Sequence, residues 1–300
     1  MPMPFIRHPQ ADDVLARIER CHRTGNNARE PEGLAITGEA GVGKSMAAEH
    51  YQLRYPSQRD ENGVTSPVLY STIPAGATIK GMQTELLTAL GDPRPDRGNR
   101  ASQDQRLQTL FSNCGVELLF LDEFQHLTHR AHTNTRVLQD VADWLKNLIS
   151  QAGLPVVLFG MPEAQHVLEH DRQLKRRFSS NYRMTPFGLR DGTEVKNYRR
   201  FLRETEKHFL KTQNWLDSRE MVTRIHAATG GYPSEIIKLV DEAARQSRTL
   251  SNVTRKAFAR AFELTTGYSH EIPTNPFEQS VKALEGWPCM TASMLQVSTS

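Results

Sequence analysis

The stretch Gly38 to Ser45 reads GEAGVGKS and matches the pattern Gly-x4-Gly-Lys-Ser in full. No other feature of the chain restricts its fold as much. Such a loop needs a strand before it and a helix after it. Glycines let successive backbone N–H groups curl round a phosphate without Cβ clashes, and the helix N-terminus they feed favours an anion. Leu34-Ala35-Ile36-Thr37 supplies the strand, and the residues from about Gly43 to Arg54 supply a helical pattern. The loop Gly38, Glu39, Ala40, Gly41, Val42, Gly43 is therefore expected to hold the phosphates of ATP. Lys44 is expected to set a charge on the β- and γ-phosphates, and Ser45 to offer a hydroxyl to Mg²⁺.

A second motif follows some 75 residues later. Val116 to Leu121 is apolar except for Glu117, as in a strand covered on both faces, and it leads into Asp122-Glu123. Asp122 is the expected second Mg²⁺ partner, and Glu123 the expected general base for an attacking water. A helix, Gln103 to Phe111, and the strand before it lie between the two motifs. This predicts an extra strand between the two motif strands in the sheet.

Further strands are expected at Val68 to Ile73, Pro155 to Phe159 and Tyr182 to Pro186. Helices are expected at Ala11 to Arg23, Ile79 to Leu90 and Arg136 to Ser150. This alternation predicts an α/β fold, a parallel sheet flanked by helices. After Leu189 only helical periods remain: Glu194 to Leu210, Arg219 to Ala228, Ser234 to Gln246 and Thr254 to Leu264. The expected organisation is an N-terminal helix and connector (1–32), a nucleotide-binding core (33–190), a small all-helical lid (191–265) and a poorly ordered tail (266–300).

Composition excludes several classes. The three cysteines, Cys21, Cys114 and Cys289, are far apart and form no CxxC or Cys/His cluster, so neither a disulfide framework nor a zinc site is indicated. No apolar run approaches a membrane span, and a cytoplasmic protein without membrane contact is expected. The net charge of +3 is modest, but Asp171 to Lys211 holds twelve Lys/Arg against five Asp/Glu. That segment reads either as a solvated basic surface or as a contact for nucleic acid or phosphate.

Together the motifs resemble a AAA+ ATPase with the extra strand of the ASCE class. Within it they resemble the TniB/TnsC-type regulators of DNA transposition. The segments that carry the resemblance are EPEGLAITGEAGVGKS, TIKGMQTELLTALGDP, LLFLDEFQHL, VVLFGMPEA, QLKRRF and TGGYPSEI, between about Ala11 and Leu264. The resemblance implies an ATPase that oligomerises as a ring or filament on duplex DNA, recruits a transposase and a target-selection protein, and disassembles on hydrolysis. It places Arg176 and Arg177 at the arginine-finger position, serving the neighbouring subunit's γ-phosphate, with Arg177 preferred. It also makes Lys80, Thr78, Arg130 and Arg136 candidates for sequence-independent contacts to DNA phosphates.

Two departures from the class pattern imply slow turnover. The fourth strand ends in Phe159-Gly160, where a polar sensor is usual, and Ser234 stands where a lid arginine is usual. A helicase loader or initiator of the same class, and a nucleotide-gated DNA-binding scaffold with little turnover, remain open at this point.

Overall fold

Apolar runs too short for helices and bounded by polar turns become four strands of one sheet. In the computed structural model these are β1 (Leu34–Thr37), β4 (Val68–Thr72), β5 (Leu118–Asp122) and β6 (Val156–Gly160), and the mostly polar β7 (Ser180–Arg183) adds an edge. The structure describes residues 4–25, 31–61, 63–128, 135–212, 214–247, 249–266, 272–284 and 287. By their internal contacts the residues fall into two units, one of 12–40 and 44–184, the other of 1–11, 41–43 and 185–300.

The first unit is α/β. Its strands run in the order β4-β5-β6-β1-β7, and all of them pair in parallel. Every residue of β1, β5 and β6 is buried, as expected of strands covered on both faces. The covering helices are α1 (Pro9–Gly25), α2 (Lys44–Gln52), α3 (Ile79–Ala89), α4 (Arg100–Asn113), the short α5 (Gln125–Thr128), α6 (Thr135–Ala152), α7 (Gln165–His170) and α8 (Arg172–Arg177). Their inward residues, among them Leu86, Leu107, Trp144, Leu145 and Val167, join the strand residues in one core.

An extra strand does lie between the two motif strands, but it is β6 and not β4. The strand that precedes the second motif in sequence sits outboard, at the sheet edge beside β5. Sequence order cannot reveal this, because parallel strands are joined by crossovers that skip positions. A small antiparallel hairpin, β2 (Gln58–Asp60) with β3 (Gly63–Thr65), was not expected, since Val64 is the one apolar side chain in its strands. Helix α4 begins ahead of the predicted Gln103 because the Asn99 side chain accepts from Ser102 N at 2.9 Å and caps it.

The second unit is helical: α9 (Gly192–Phe209), α10 (Arg219–Thr229), α11 (Pro233–Arg245), α12 (Arg255–Thr265) and the short α13 (Val281–Leu284). Tyr198, Phe201, Ile225, Ile236, Val240, Phe258 and Phe262 build its core. The break between units falls at Met184–Thr185, ahead of the expected 190/191 boundary. The reason is Phe187, which stacks on Tyr198 with centroids 5.4 Å apart and meets Phe201 at 4.8 Å. Ile6 and His8 join the same core, so part of the expected N-terminal segment belongs here.

The tail also differs from expectation, in that residues 272–284 are packed. Phe277 is 1% exposed and lies 5.3 Å from the Phe258 ring. The buried Arg224 guanidinium donates to the carbonyls of Pro276 and Gln279 at 2.6 and 2.8 Å. The segment satisfies a buried cation, and its anchors are spaced too irregularly to show a period.

Candidate nucleotide site

Strand register sets the site. Thr37 pairs with Gly160, and Leu121 pairs with Leu158, so the carboxyl ends of β1, β5 and β6 lie level. Ligands of open parallel sheets bind beyond these ends. The glycine loop follows β1, and Asp122-Glu123 closes β5. Two motifs 77 residues apart thus meet: Ser45 Oγ donates to Asp122 Oδ2 at 2.5 Å.

The loop has the expected backbone. Gly41 and Gly43 sit at φ +83° and +103°, which residues with a Cβ adopt only under strain. Lys44 is buried, and its ammonium donates to the carbonyls of Gly38 and Glu39 at 2.7 and 2.9 Å, holding the charge over the loop. Burial pushes its pKa down from the lysine range, and the charges of Asp122, Glu123 and Glu39 push it back up. Ser234, where a lid arginine is usual, belongs with Gly41–Gly43 in the second unit and donates through its backbone N to Gly41 O at 3.1 Å.

Asp122 is 1% exposed, so its carboxylate needs donors, and it has three. Besides Ser45, Tyr70 Oη donates to Oδ2 at 2.6 Å and Glu123 N donates to Oδ1 at 2.7 Å. Burial, followed by the bond to Asp122, raises the Tyr70 pKa, so the phenol stays a donor. Sequence reading missed Tyr70. Its position one strand away, opposite Phe120 in register, shows its role only once β4 is paired with β5.

Glu123 is held in the left-handed region at φ +57°. The Gln125 amide donates to Glu123 Oε2, and its carbonyl accepts from Met161 N at 3.0 Å. A Cβ on Gly160 would stand 3.0 Å from Gln125 Oε1. Gln125 thus lies beside the end of β6, a second residue that sequence reading missed. Its signal was position alone, two residues past Glu123.

The donor set fits a magnesium-bound nucleoside triphosphate. A buried ammonium lies on the loop carbonyls, and a hydroxyl and a carboxylate lie within 2.5 Å of each other, placed to share one cation. Magnesium bound there supplies Lewis-acid polarisation of the phosphoryl oxygens.

The remaining predicted residues lie elsewhere. Arg176 is exposed, whereas Arg177 is half-buried with its Nη1 buried and without a hydrogen bond among the described residues. Gly33 N donates to Arg177 O at 2.9 Å, so both arginines sit where β1 begins. The length of β1, about 10 Å, separates them from their own glycine loop. Lys80 is exposed on the first turn of α3. Thr78 proves to be the α3 N-cap, its hydroxyl oxygen accepting from Gly81 N at 3.1 Å. Arg136 is exposed on α6, and Arg130 lies outside the described residues. No helix among the described residues is long and apolar enough to cross a membrane.

The family model described as bacterial TniB protein matches residues 3–185. The chain belongs to the TniB family. No curated protein matches it. Among solved structures it is similar to the ORC2 protein of Aeropyrum pernix, at 14% identity and TM-score 0.59, over 87% of this chain and 68% of that one. It is also similar to Cdc6p of Pyrobaculum aerophilum, at 14% identity and TM-score 0.60, over 90% and 71%. The Aeropyrum pernix ORC1 protein in complex with DNA matches at 16% identity and TM-score 0.57, over 86% and 65%. These likenesses concern the fold. The TniB-family protein has the AAA+ architecture, a parallel sheet with its phosphate loop and a helical lid, and is a AAA+ ATPase.

Proposed function

We propose that this TniB-family protein is an ATP-driven switch that oligomerises on duplex DNA and comes apart when ATP is hydrolysed. The observation that carries this reading is the position of Arg176 and Arg177. They lie at the end of β1 remote from the Ser45–Asp122 pair, which supports a role in a neighbour's site and not in their own. Lys44 and the loop amides hold the phosphates, while Ser45 and Asp122 hold the metal. Glu123 accepts the proton of the attacking water, and Gln125 fixes the carboxylate that does so. With Gln125 and Ser234 in place of the usual sensors, turnover is slow and the switch acts as a timer. Lys80 and Arg136 are proposed phosphate contacts, and Thr78 acts there by starting the helix that carries Lys80.

Membership of the TniB family supports the finer reading, in which the DNA-bound oligomer recruits a transposase and a target-selection protein. The fold likeness to ORC2, Cdc6p and DNA-bound ORC1 favours a second reading as an initiator or loader. ATPase rates with and without duplex DNA, beside Glu123→Gln, test the common part. The expected result is DNA-stimulated turnover in the wild type, and stable assemblies without turnover in the variant. Absence of ATP-dependent assembly on DNA would sink both readings. Capture of a transposase by the DNA-bound Glu123→Gln oligomer separates the first from the second.

A further inference from the structure

Helix α9 turns one face to the core through Tyr198, Phe201, Leu202 and Thr205. Its opposite face carries Lys196, Arg199, Arg200, Arg203 and Lys207, all exposed. Their spacing of three and four residues stacks them in one stripe about 16 Å long. Two carboxylates offset part of this charge. Asp217, 6% exposed, accepts from Arg203 Nε at 3.1 Å and lies 4.0 Å from Arg199 Nη2, and Lys207 pairs with Glu204 at 2.8 Å. Arg199 Nε also donates to the Asp217 carbonyl at 2.8 Å. Lys196 has no ion pair among the described residues. Like charges at i and i+4 weaken a helix, so this clustering is not explained by the stability of α9 itself.

The buried Asp217 does more than neutralise. It holds the Arg203 guanidinium through its carboxylate and the Arg199 guanidinium through its backbone carbonyl, and both arginine side chains stay nearly half exposed, at 46% and 47%. Between these arginines and Lys196 runs a cleft of about 250 Å³, also lined by Gly192 and Val195. The exposed stripe itself has no aromatic or aliphatic anchor. Protein partners are held mainly by such anchors, whereas a phosphate backbone needs only charge and N–H donors. About five successive phosphates of one DNA strand fit along 16 Å, at 3.4 Å of axis each.

We propose that this face of α9 is a sequence-independent binding site for the sugar-phosphate backbone of duplex DNA, in addition to Lys80 on α3. The proposal rests on the reading of the protein as one that assembles on DNA. It is tested with the full chain and a slowly hydrolysed ATP analogue, by measuring duplex affinity between 50 and 200 mM salt. The wild type is set beside Lys196→Glu, the triple variant Lys196→Ala/Arg199→Ala/Arg203→Ala, and Lys238→Glu as an exposed control off the stripe.

Removing one cation from a DNA phosphate flattens the log–log salt slope by about 0.9. The wild type is then expected to weaken about 40-fold more than the triple variant across that salt range, and at least about 3.5-fold more than Lys196→Glu. Lys238→Glu keeps the wild-type slope. Among the described residues the Lys196 side chain holds no ion pair that its replacement would break, so Lys196→Glu decides the matter if the triple variant fails to fold. Wild-type slopes in both stripe variants overturn the proposal and leave the stripe to solvent or a protein partner. A wild type that binds no duplex overturns the DNA reading and this site with it, and so distinguishes the two failures.

Discussion

Replacing Tyr70 with Phe removes one oxygen and leaves the ring, which meets Phe120 edge-on at 6.5 Å, in place. The oxygen is one of three donors to the buried Asp122 carboxylate, 2.6 Å from Oδ2. A hydrogen bond to a charged acceptor contributes about 1.5–3 kcal/mol, and the carboxylate left behind stays buried. For a domain of this size each kcal/mol moves the melting temperature by about 2–4 °C. The variant is therefore expected to melt roughly 3–12 °C below wild type at neutral pH, measured by circular dichroism.

The same bond adds a pH signature. The Tyr70 phenol titrates above its ordinary value of about 10, so above that pH the unfolded chain releases a proton that the native state keeps. Wild-type stability then falls with rising pH by up to about 1.4 kcal/mol per unit from this group, and the variant lacks that slope. The stability gap between the two proteins should narrow above pH 10. Other buried tyrosines contribute equally to both proteins and cancel. A gap below about 0.5 kcal/mol at neutral pH, or one that stays constant into the alkaline range, would refute the assignment of Tyr70 as a principal donor to Asp122.

Three further outcomes are expected. Burial lowers the His226 pKa to about 4 against the opposing bond to Phe187 O. Stability is therefore full above pH 6.5 and falls by about 3 kcal/mol as pH drops from 6.5 to 4, an acid arm that urea titrations should find flattened in His226→Leu. Mixing Glu123→Gln with Arg176→Ala/Arg177→Ala should restore up to about a quarter of wild-type turnover, the chance that a random interface joins an intact glutamate to an intact arginine. No recovery in the mixture would place the arginines outside the neighbour's site. Glu123→Gly should abolish turnover yet raise stability by about 1 kcal/mol in thermal melts, because φ +57° strains a residue with a Cβ; a lower melting point would show that the strain is relieved by contacts of Glu123.

How much was legible in the sequence depended on how local each cause is. GEAGVGKS and the apolar run into Asp122-Glu123 carried their own explanation, because a phosphate loop and a buried strand are made from neighbouring residues. The number of strands in the main sheet and the helical second unit were therefore open to reading. The order of strands was not. That β6 intervenes between the motif strands, that Tyr70 reaches Asp122 and that the Gln125 carbonyl accepts from Met161 N are consequences of register between segments far apart in the chain. Likewise the basic run from Asp171 to Lys211 could be counted in the sequence. Only the packing of α9, with Asp217 beside two of its arginines, turned the count into a single exposed stripe. Local chemistry determined which residues can meet a phosphate, and tertiary pairing decided which of them stand together. A hydrogen bond acts over about 3 Å, whatever separates its partners along the chain.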